Sequence, residues 1–265
     1  MITLGYNEPS LNIIEVNMIN FPDRRRTDSL KWGLFGDEVL PLWVADMDFS
    51  SPMEVIAALH ERVEHGVFGY ARESRELKEL ITGRMETLYG WKITPEDIIL
   101  LPGVVSAFNL VSQMVAEPGE SILIQPPVYP PFFDAPRHGG AHTVFSPINP
   151  DKNGEYHIDY SAFEAAIEDD TRLFLLCNPH NPIGRVFTRE ELLGMAEICL
   201  RRRVVICSDE IHSDLIYSGY HHIPIASLDP EIAASTVTLI APSKTFNIAG
   251  LECSALICTN PDLLK

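Results

Sequence analysis

The sequence predicts an α/β fold, a mainly parallel, seven-stranded sheet with helices on both faces. Three observations indicate this fold class. Short apolar runs recur between about residue 97 and residue 259, helix-like segments separate them, and several of the runs are apolar throughout. Strands covered on both faces have this continuous apolar character, and their alternation with helices is typical of an α/β sheet.

The individual elements follow from the spacing of apolar residues. Strands are predicted at 97–101, 121–125, 142–146, 173–177, 204–207, 236–241 and 254–259. Helices are predicted at 52–66, 75–90, 104–116, 161–167 and 188–202. The last helix opens with Thr188 and has Glu191 three residues later, which is a capping-box pattern. The proline-rich stretch 126–133 and the polar stretch 151–159 are predicted as loops.

Composition narrows the classes of function. The 265 residues include 37 Asp and Glu against 20 Lys and Arg, a formal charge of -17. A field of this sign repels phosphate backbones and anionic lipids, so neither nucleic acid nor a membrane is expected as a partner. No signal peptide and no bilayer-spanning run is recognisable. The five cysteines form no CxxC pair, and Cys177, Cys207 and Cys258 are predicted to be buried free thiols, which favours a cytoplasmic location.

Ligands of open α/β sheets bind beyond the carboxyl ends of the strands, so the turns that follow the strands hold the candidate site residues. Gly103 to Val105 opens a helix whose backbone N–H groups could hold a phosphate, although such a glycine is common. Tyr129, flanked by four prolines, could stack on a planar ligand or pack as a loop tyrosine. Asn181 begins the second of two Asn-Pro steps, whose extended or turn geometry leaves its amide free to contact a ligand.

Two further candidates follow the fifth and sixth strands. Asp209 ends a buried strand, where a carboxylate is costly unless a cation or strong donor pairs with it. A protonated ring nitrogen could be that cation, and a metal bound by Asp209, His212 and Asp214 is the alternative, without the usual ligand set. Lys244 follows an apolar run that would lower its pKa and leave a nucleophilic amine, unless the side chain reaches solvent.

Together these five features match the needs of pyridoxal 5'-phosphate. This cofactor requires an anion site, a stacking ring, partners for its phenolic oxygen and its pyridinium nitrogen, and an amine for its aldehyde. No metal is expected.

The sequence resembles the class I/II aminotransferase superfamily of fold-type I pyridoxal-phosphate enzymes. The resemblance rests on NPHNPIG, SDEIH and PSKTFNIAGL in that order and covers nearly the whole chain. It implies that Lys244 is the Schiff-base lysine, that Asp209 is the pyridinium partner and that Asn181 binds the ring oxygen. It also implies that Tyr129 stacks on the ring. The phosphate site would include the backbone of Val104 and Val105, together with Ser243.

The front of the chain is similar to the MalY/PatB branch of cystathionine β-lyase-type C–S lyases. The stretches that carry this similarity are FPDRRRTDSLKWG, LPLWVADMDFSSP and FGYARES. Tyr70 matches a tyrosine that reaches the phosphate of the neighbouring subunit, which implies a homodimer with shared sites. A core aromatic is the competing interpretation of Tyr70. Ala45 matches a position that borders the substrate.

Two residues depart from the aminotransferase pattern. His212 stands where many aminotransferases have a tyrosine on the ring oxygen, and a histidine there is similar to the lyase branch. Glu252 occupies a position where many relatives carry a phosphate-binding arginine, so the phosphate site is expected to be less basic than usual.

The resemblance also sets the expected domains. Residues 1–50 would be an N-terminal segment belonging to the small domain and the dimer contacts, and residues 51–265 the large cofactor-binding domain. The C-terminal small domain, which carries the arginine for the substrate carboxylate, would be absent. A truncated chain with low activity by itself is therefore expected.

The implied reaction is β-elimination on a cysteine S-conjugate such as cystathionine, which gives a thiol, pyruvate and ammonia. Lys244 would remove the α-proton, and Asp209 would keep the ring protonated. An aminotransferase acting on an amino acid and a 2-oxo acid is the alternative, because the same residues serve both reactions. A non-catalytic protein that uses the fold for binding is a third hypothesis.

Overall fold

The computed structural model describes residues 20–264, and the chain divides into two compact units, Met1–Gly69 and Tyr70–Lys265. The assignment of residues 1–50 to a small domain and to dimer contacts stays a prediction. No described helix is long and apolar enough to cross a membrane.

The first unit contains helices α1 (Leu30–Gly33) and α2 (Met53–His65). Its loops are joined by a cluster of charges around Asp48. The Arg24 guanidinium lies 3.0 Å from the Asp48 carboxylate and the Lys31 ammonium lies 2.7 Å from it. The Trp32 indole N–H donates to the same carboxylate at 2.8 Å. Because these partners come from the segment before residue 33, they fix the conformation of the loop that follows Ala45.

The second unit contains the sheet. Its strands are β1 (Ile98–Leu101), β2 (Ser121–Ile124), β3 (His142–Phe145), β4 (Thr171–Cys177), β5 (Val205–Asp209), β6 (Thr236–Ile240) and β7 (Ser254–Ile257). Its helices are α3 (Arg75–Tyr89), α4 (Val104–Val115), α5 (Pro131–His138), α6 (Tyr160–Ala166), α7 (Arg189–Arg202) and α8 (Pro230–Ala234). Short 3₁₀ helices occur at Pro95–Asp97, Ile225–Ser227 and Ala249–Leu251.

The strand order is β1-β7-β6-β5-β4-β2-β3. The pairs β2–β3, β2–β4, β4–β5 and β5–β6 are parallel, whereas β7 is antiparallel to both of its neighbours. The predicted fold class, a mainly parallel seven-stranded sheet with helices, is confirmed.

Strand β4 shows why the sheet is covered on both faces. Successive side chains of a strand point to opposite sides, so alternate residues belong to different cores. Leu173 and Leu175 join a buried cluster with residues of α4 and α5, whereas Phe174 and Leu176 join a second cluster with residues of α6 and α7. Both sides of β4 are apolar for this reason, which explains the unbroken apolar run at 173–177.

All seven predicted strands and all five predicted helices are present, with ends shifted by a few residues. The capping box at Thr188 and Glu191 is also present. The loop predicted at 126–133 is wrong at its end, because α5 begins at Pro131. Proline suits the first turn of a helix, where its missing N–H has no partner to lose, so a proline-rich stretch can open a helix as well as prevent one. Cys177, Cys207 and Cys258 are buried free thiols, as predicted.

We expect Phe174→Ala to lower the free energy of unfolding by about 3–5 kcal/mol, because it leaves a cavity in a closed core. The Phe174 ring is fully buried and packs edge-on against Phe163, with ring centroids 5.0 Å apart. Phe145→Ala is the matched control, because that ring is 48% exposed on the edge strand β3 and its loss should cost about 1 kcal/mol or less. Urea denaturation measures both, and equal losses would contradict this account of the core.

Candidate active site

The carboxyl ends of three parallel strands meet at one edge of the sheet. In the register of the central strands, Cys177 at the end of β4 pairs with Asp209 at the end of β5, and Asp209 pairs with Leu239 of β6. The ladder continues past the strand ends, since the Asn178 N–H donates to the Asp209 carbonyl at 3.0 Å. The turns after β4, β5 and β6 are therefore neighbours, and they carry Asn181, Asp209 and Lys244.

The turn after β1 lies at this same edge because β7 runs in the opposite direction. Ser254, the first residue of β7, pairs with Leu101 at the end of β1, and Ala255 pairs with Ile240 at the end of β6. Gly103 follows β1 by two residues and Lys244 follows β6 by four. The structure thus brings the candidate phosphate turn and the candidate lysine to the same edge, one strand apart.

Asp209 is the buried charge of this edge, with 5% of its surface exposed. Burial raises the pKa of its carboxyl to about 7, and the neighbouring Glu210 adds to the rise. The Ile211 backbone N–H, which donates to Asp209 Oδ1 at 3.1 Å, and the charge of Lys244 act in the opposite direction. These two influences do not offset the cost of burial, so the site favours a further cationic donor against this carboxylate.

Lys244 lies in a turn that follows β6. The turn has two backbone hydrogen bonds, from the Phe246 N–H to the Pro242 carbonyl at 2.9 Å and from the Ile248 N–H to the Ser243 carbonyl at 3.0 Å. The lysine is half-buried and its charge acts on both Asp209 and His212.

His212 lies beside this lysine on the turn after β5. Burial lowers the pKa of its imidazole, and the charge of Lys244 lowers it further. Both effects favour the neutral ring, which has one donor and one acceptor for a ligand oxygen.

Tyr129 lies within electrostatic reach of Asp209. Burial raises the pKa of the Tyr129 phenol and the Asp209 charge raises it further, while 37% of the residue remains exposed. Its loop is held from behind by His180, whose Nε2–H donates to the Pro127 carbonyl at 2.8 Å. The hydrogen bond from His180 therefore stabilises the loop that places the Tyr129 ring at the edge of the sheet.

Asn181 occupies a tight turn between β4 and α7. His180 and Arg185 form an antiparallel bridge across it, and the Gly184 N–H donates to the His180 carbonyl at 2.8 Å. The Arg185 guanidinium lies 2.6 Å from the carboxylate of Glu191, the capping residue of α7. This bridging holds Asn181 half-buried at the tip of a rigid turn.

The turn at Gly103 opens the 12-residue helix α4. Gly103 has φ of 84°, a backbone conformation that L-residues rarely adopt, and a Cβ added there would meet nothing within 4 Å. No side chain caps the helix, and the first N–H groups of a helix have no partner within it. The amides of Val104 and Val105 are thus suited to an anion.

The structure also describes four further residues singled out from the sequence, Ser243, Ala45, Tyr70 and Glu252. Ser243 is buried next to Lys244. Ala45 belongs to the first unit. Tyr70 is fully exposed, so the competing interpretation of a core aromatic is wrong for this chain. Glu252 is exposed and ends a 3₁₀ helix with a left-handed backbone, φ 46°.

The metal hypothesis for Asp209, His212 and Asp214 is not supported by the geometry. Among the described residues, groups of His, Cys, Asp and Glu close enough to share an ion are His142–Glu168–Asp170 and Asp151–Glu155–His157, both largely exposed. Asp214 instead accepts a hydrogen bond from the Thr245 hydroxyl and pairs with Arg84.

Two structural partners of the site escaped the sequence analysis. His180 supports the Tyr129 loop, although it stands inside the recognised motif NPHNPIG. Glu210, next to Asp209, pairs with His222 at 2.8 Å, and both side chains are almost completely buried. No sequence pattern indicates these contacts, because they join positions 53 and 12 residues apart.

The family model for class I and II aminotransferases matches residues 37–265. The chain belongs to this family. It is 46% identical over 249 residues to cystathionine beta-lyase PatB of Bacillus subtilis and 32% identical over 237 residues to protein MalY of Escherichia coli. These alignments cover 92% and 86% of this chain, and 64% and 60% of the relatives.

Solved structures that are similar to this chain have the same fold. Cystalysin of Treponema denticola, which contains pyridoxal 5'-phosphate, superposes with a TM-score of 0.87 at 37% identity. The pyridoxal-phosphate-bound C-S lyase of Staphylococcus hominis gives 0.86 at 33% identity. The two matches cover 92% of this chain and 64% and 63% of those chains, so the chain spans less than two thirds of the length of these relatives.

We expect Asp209→Asn to stabilise the chain without added ligand at pH 8 and to have little effect near pH 4. The folded carboxyl, with pKa of about 7 against an ordinary 3.8, binds its proton more tightly than the unfolded one. Its contribution to stability is therefore present below pH 4 and is lost as the pH rises to about 7. The gain at pH 8 is at most about 4 kcal/mol, since one pKa unit corresponds to about 1.4 kcal/mol.

Thermal unfolding between pH 4 and pH 8 measures this difference. Asp169→Asn removes the same charge from a fully exposed side chain and is the control. A gain for Asp209→Asn that does not change with pH would contradict the assigned role of burial.

Proposed function

We propose that the chain is the cofactor-binding part of a pyridoxal-phosphate-dependent carbon–sulfur β-lyase, which releases a thiol, pyruvate and ammonia from a cysteine S-conjugate. The observation that carries the proposal is the buried Asp209 carboxyl beside Lys244 at the sheet edge. A protonated ring nitrogen would stabilise a buried carboxylate of this kind. The half-buried lysine next to it has an amine that can react with an aldehyde.

The other groups of the edge fit the same cofactor. The amides of Val104 and Val105 would hold its phosphate, and the ring of Tyr129 would stack on its pyridine. Asn181 and His212 would contact the phenolic oxygen. The Ser243 hydroxyl, next to the lysine, is proposed as a second phosphate donor.

When bound, the cofactor supplies an electron sink for the bond broken at the α-carbon of the substrate. Asp209 would keep the ring nitrogen protonated, because the buried carboxylate would gain a cationic partner only in that state. The amine of Lys244, when free, would accept the α-proton. The thiolate would leave from the β-carbon, and water would then release pyruvate and ammonia from the remaining three-carbon fragment.

The lyase assignment within the family rests on the relatives. PatB and MalY are similar to this chain over most of its length, and the name of the former states cystathionine β-lyase activity. His212 supports the same assignment, because a histidine at this position is similar to the lyase branch. Ala45, on the loop fixed by the Asp48 cluster, is proposed to border the substrate.

A homodimer with shared sites is proposed as the assembly. Tyr70 is fully exposed in the single chain. A large ring with no cover is suited to reach a second subunit, where it would contact the cofactor phosphate. A reducing cytoplasm is proposed as the location, because all five cysteines are free thiols.

The first test is reductive trapping. The purified chain is mixed with pyridoxal phosphate, reduced with borohydride and mapped by peptide mass spectrometry. The label is expected on Lys244, and Lys244→Arg should abolish it, whereas Lys152→Arg on an exposed loop should not. A label spread over several exposed lysines, with Lys244 unmodified, would contradict the cofactor site.

The second test is turnover. Protein expressed from the complete gene is expected to form pyruvate and thiol from cystathionine without an added 2-oxo acid. Lys244→Ala should lower this rate by about 10²–10⁴-fold, the usual contribution of a catalytic base. Turnover that requires a 2-oxo acid would instead identify an aminotransferase, and cofactor binding without any turnover would favour a binding protein.

A further inference from the structure

Asp214 joins three separate elements of the second unit. The Thr245 hydroxyl donates to Asp214 Oδ2 at 2.7 Å, and the Arg84 guanidinium of α3 pairs with Asp214 Oδ1. Thr245 immediately follows Lys244 in the chain. The carboxylate therefore connects the turn after β5 with the turn that carries the lysine, and an arginine from a distant helix orients it.

The turn around Lys244 depends on contacts of this kind. It is neither helix nor strand, and Asn247 within it has a left-handed backbone with φ of 54°. A non-glycine residue in that conformation raises the energy of the turn by itself, so surrounding contacts must favour the shape. A hydroxyl donating to a carboxylate is a strong hydrogen bond and fixes the residue next to the lysine.

The Asp214 side of this contact is itself anchored independently. Glu210 accepts a hydrogen bond from the Ser208 hydroxyl at 2.9 Å and pairs with His222 at 2.8 Å. Since Glu210 and His222 are almost completely buried, the segment 210–222 is held at both ends without Thr245. Loss of the Thr245 hydroxyl should therefore loosen the lysine turn and leave the segment after β5 in place.

We propose that Asp214 and Thr245 form a positioning contact for Lys244. Through this contact the segment that carries His212 sets the position of the lysine amine at the sheet edge. The inference rests on the proposed function, in which Lys244 holds the cofactor, and it gives two further residues a positioning role. Arg84 completes the contact by orienting the carboxylate.

Hydrogen exchange tests the contact without any cofactor. Thr245→Val removes the hydroxyl at nearly constant volume, and Thr245→Ser keeps it. In the Val variant the amides of Phe246 and Ile248 are expected to exchange at least about tenfold faster, because the turn opens more often. The Ser variant should exchange at the wild-type rate.

The matched control is Thr82→Val on α3. Its hydroxyl donates to the Lys78 carbonyl within the same helix, so the same chemical change occurs away from the lysine turn. Peptides covering 242–248 should exchange in this control as in the wild type. Asp214→Ala is the second variant and should reproduce the effect of Thr245→Val from the other side of the contact.

Reductive trapping gives the second measurement. The rate of pyridoxal-phosphate incorporation at Lys244 is expected to fall about tenfold or more in Thr245→Val and Asp214→Ala, and to recover in Thr245→Ser. Either unchanged exchange or unchanged trapping in these variants would overturn the proposal. Faster exchange spread over the whole sheet would overturn it as well, because the effect would then be on the fold.

The two measurements separate this inference from the proposed function. If wild-type Lys244 takes no label, the cofactor assignment fails. Hydrogen exchange still tests whether the Thr245 hydroxyl protects the amides of residues 242–248. If Lys244 is labelled normally in every variant, the cofactor assignment stands and the positioning contact fails.

Discussion

Burial of the Asp209 carboxyl at the end of β5 is the interaction on which the rest of the site depends. A carboxylate in that position is unfavourable until a cation or a strong donor meets it, and the nearby Lys244 offsets only part of the cost. The strand cannot move to expose the group, because β4 and β6 pair with it on both sides. The fold therefore keeps this carboxyl buried at the expense of its own stability, a common compromise at functional sites.

The sheet topology gathers the other groups around this carboxyl. Because β7 is antiparallel, β1 and β6 lie on either side of it with their carboxyl ends at one edge, which brings the amides of α4 near the lysine turn. Loops at this edge are braced by contacts from behind. His180 holds the Tyr129 loop, and the Asp214–Thr245 contact holds the lysine turn. Rigid support of this kind keeps reactive groups in place more precisely than loops could by themselves.

The chain belongs to the class I and II aminotransferase family, and its site groups lie at one edge of the sheet. Under the proposed function, the same amine and carboxylate would serve transamination and β-elimination, so the outcome would depend on the leaving group and on the groups around the ring oxygen and the substrate. His212 and Ala45 are the residues of this chain at which that difference is expected. Different contacts fix the segments that carry these two residues. The segment after β5, which carries His212, is anchored by the buried Glu210–His222 pair, and the Ala45 loop is anchored by the Asp48 cluster.

The sequence by itself determined the strands, the main helices and the fold class, because apolar periodicity and capping residues are local signals. It also predicted that Gly103, Tyr129, Asn181, Asp209 and Lys244 share one edge, since each follows a strand. It misplaced the start of α5, where proline opens a helix. Only the tertiary structure decided that β7 is antiparallel, that Tyr70 is exposed, and that His180, Glu210 and Asp214 support the site. These are contacts between distant parts of the chain, which follow from packing and leave no periodic trace in the sequence.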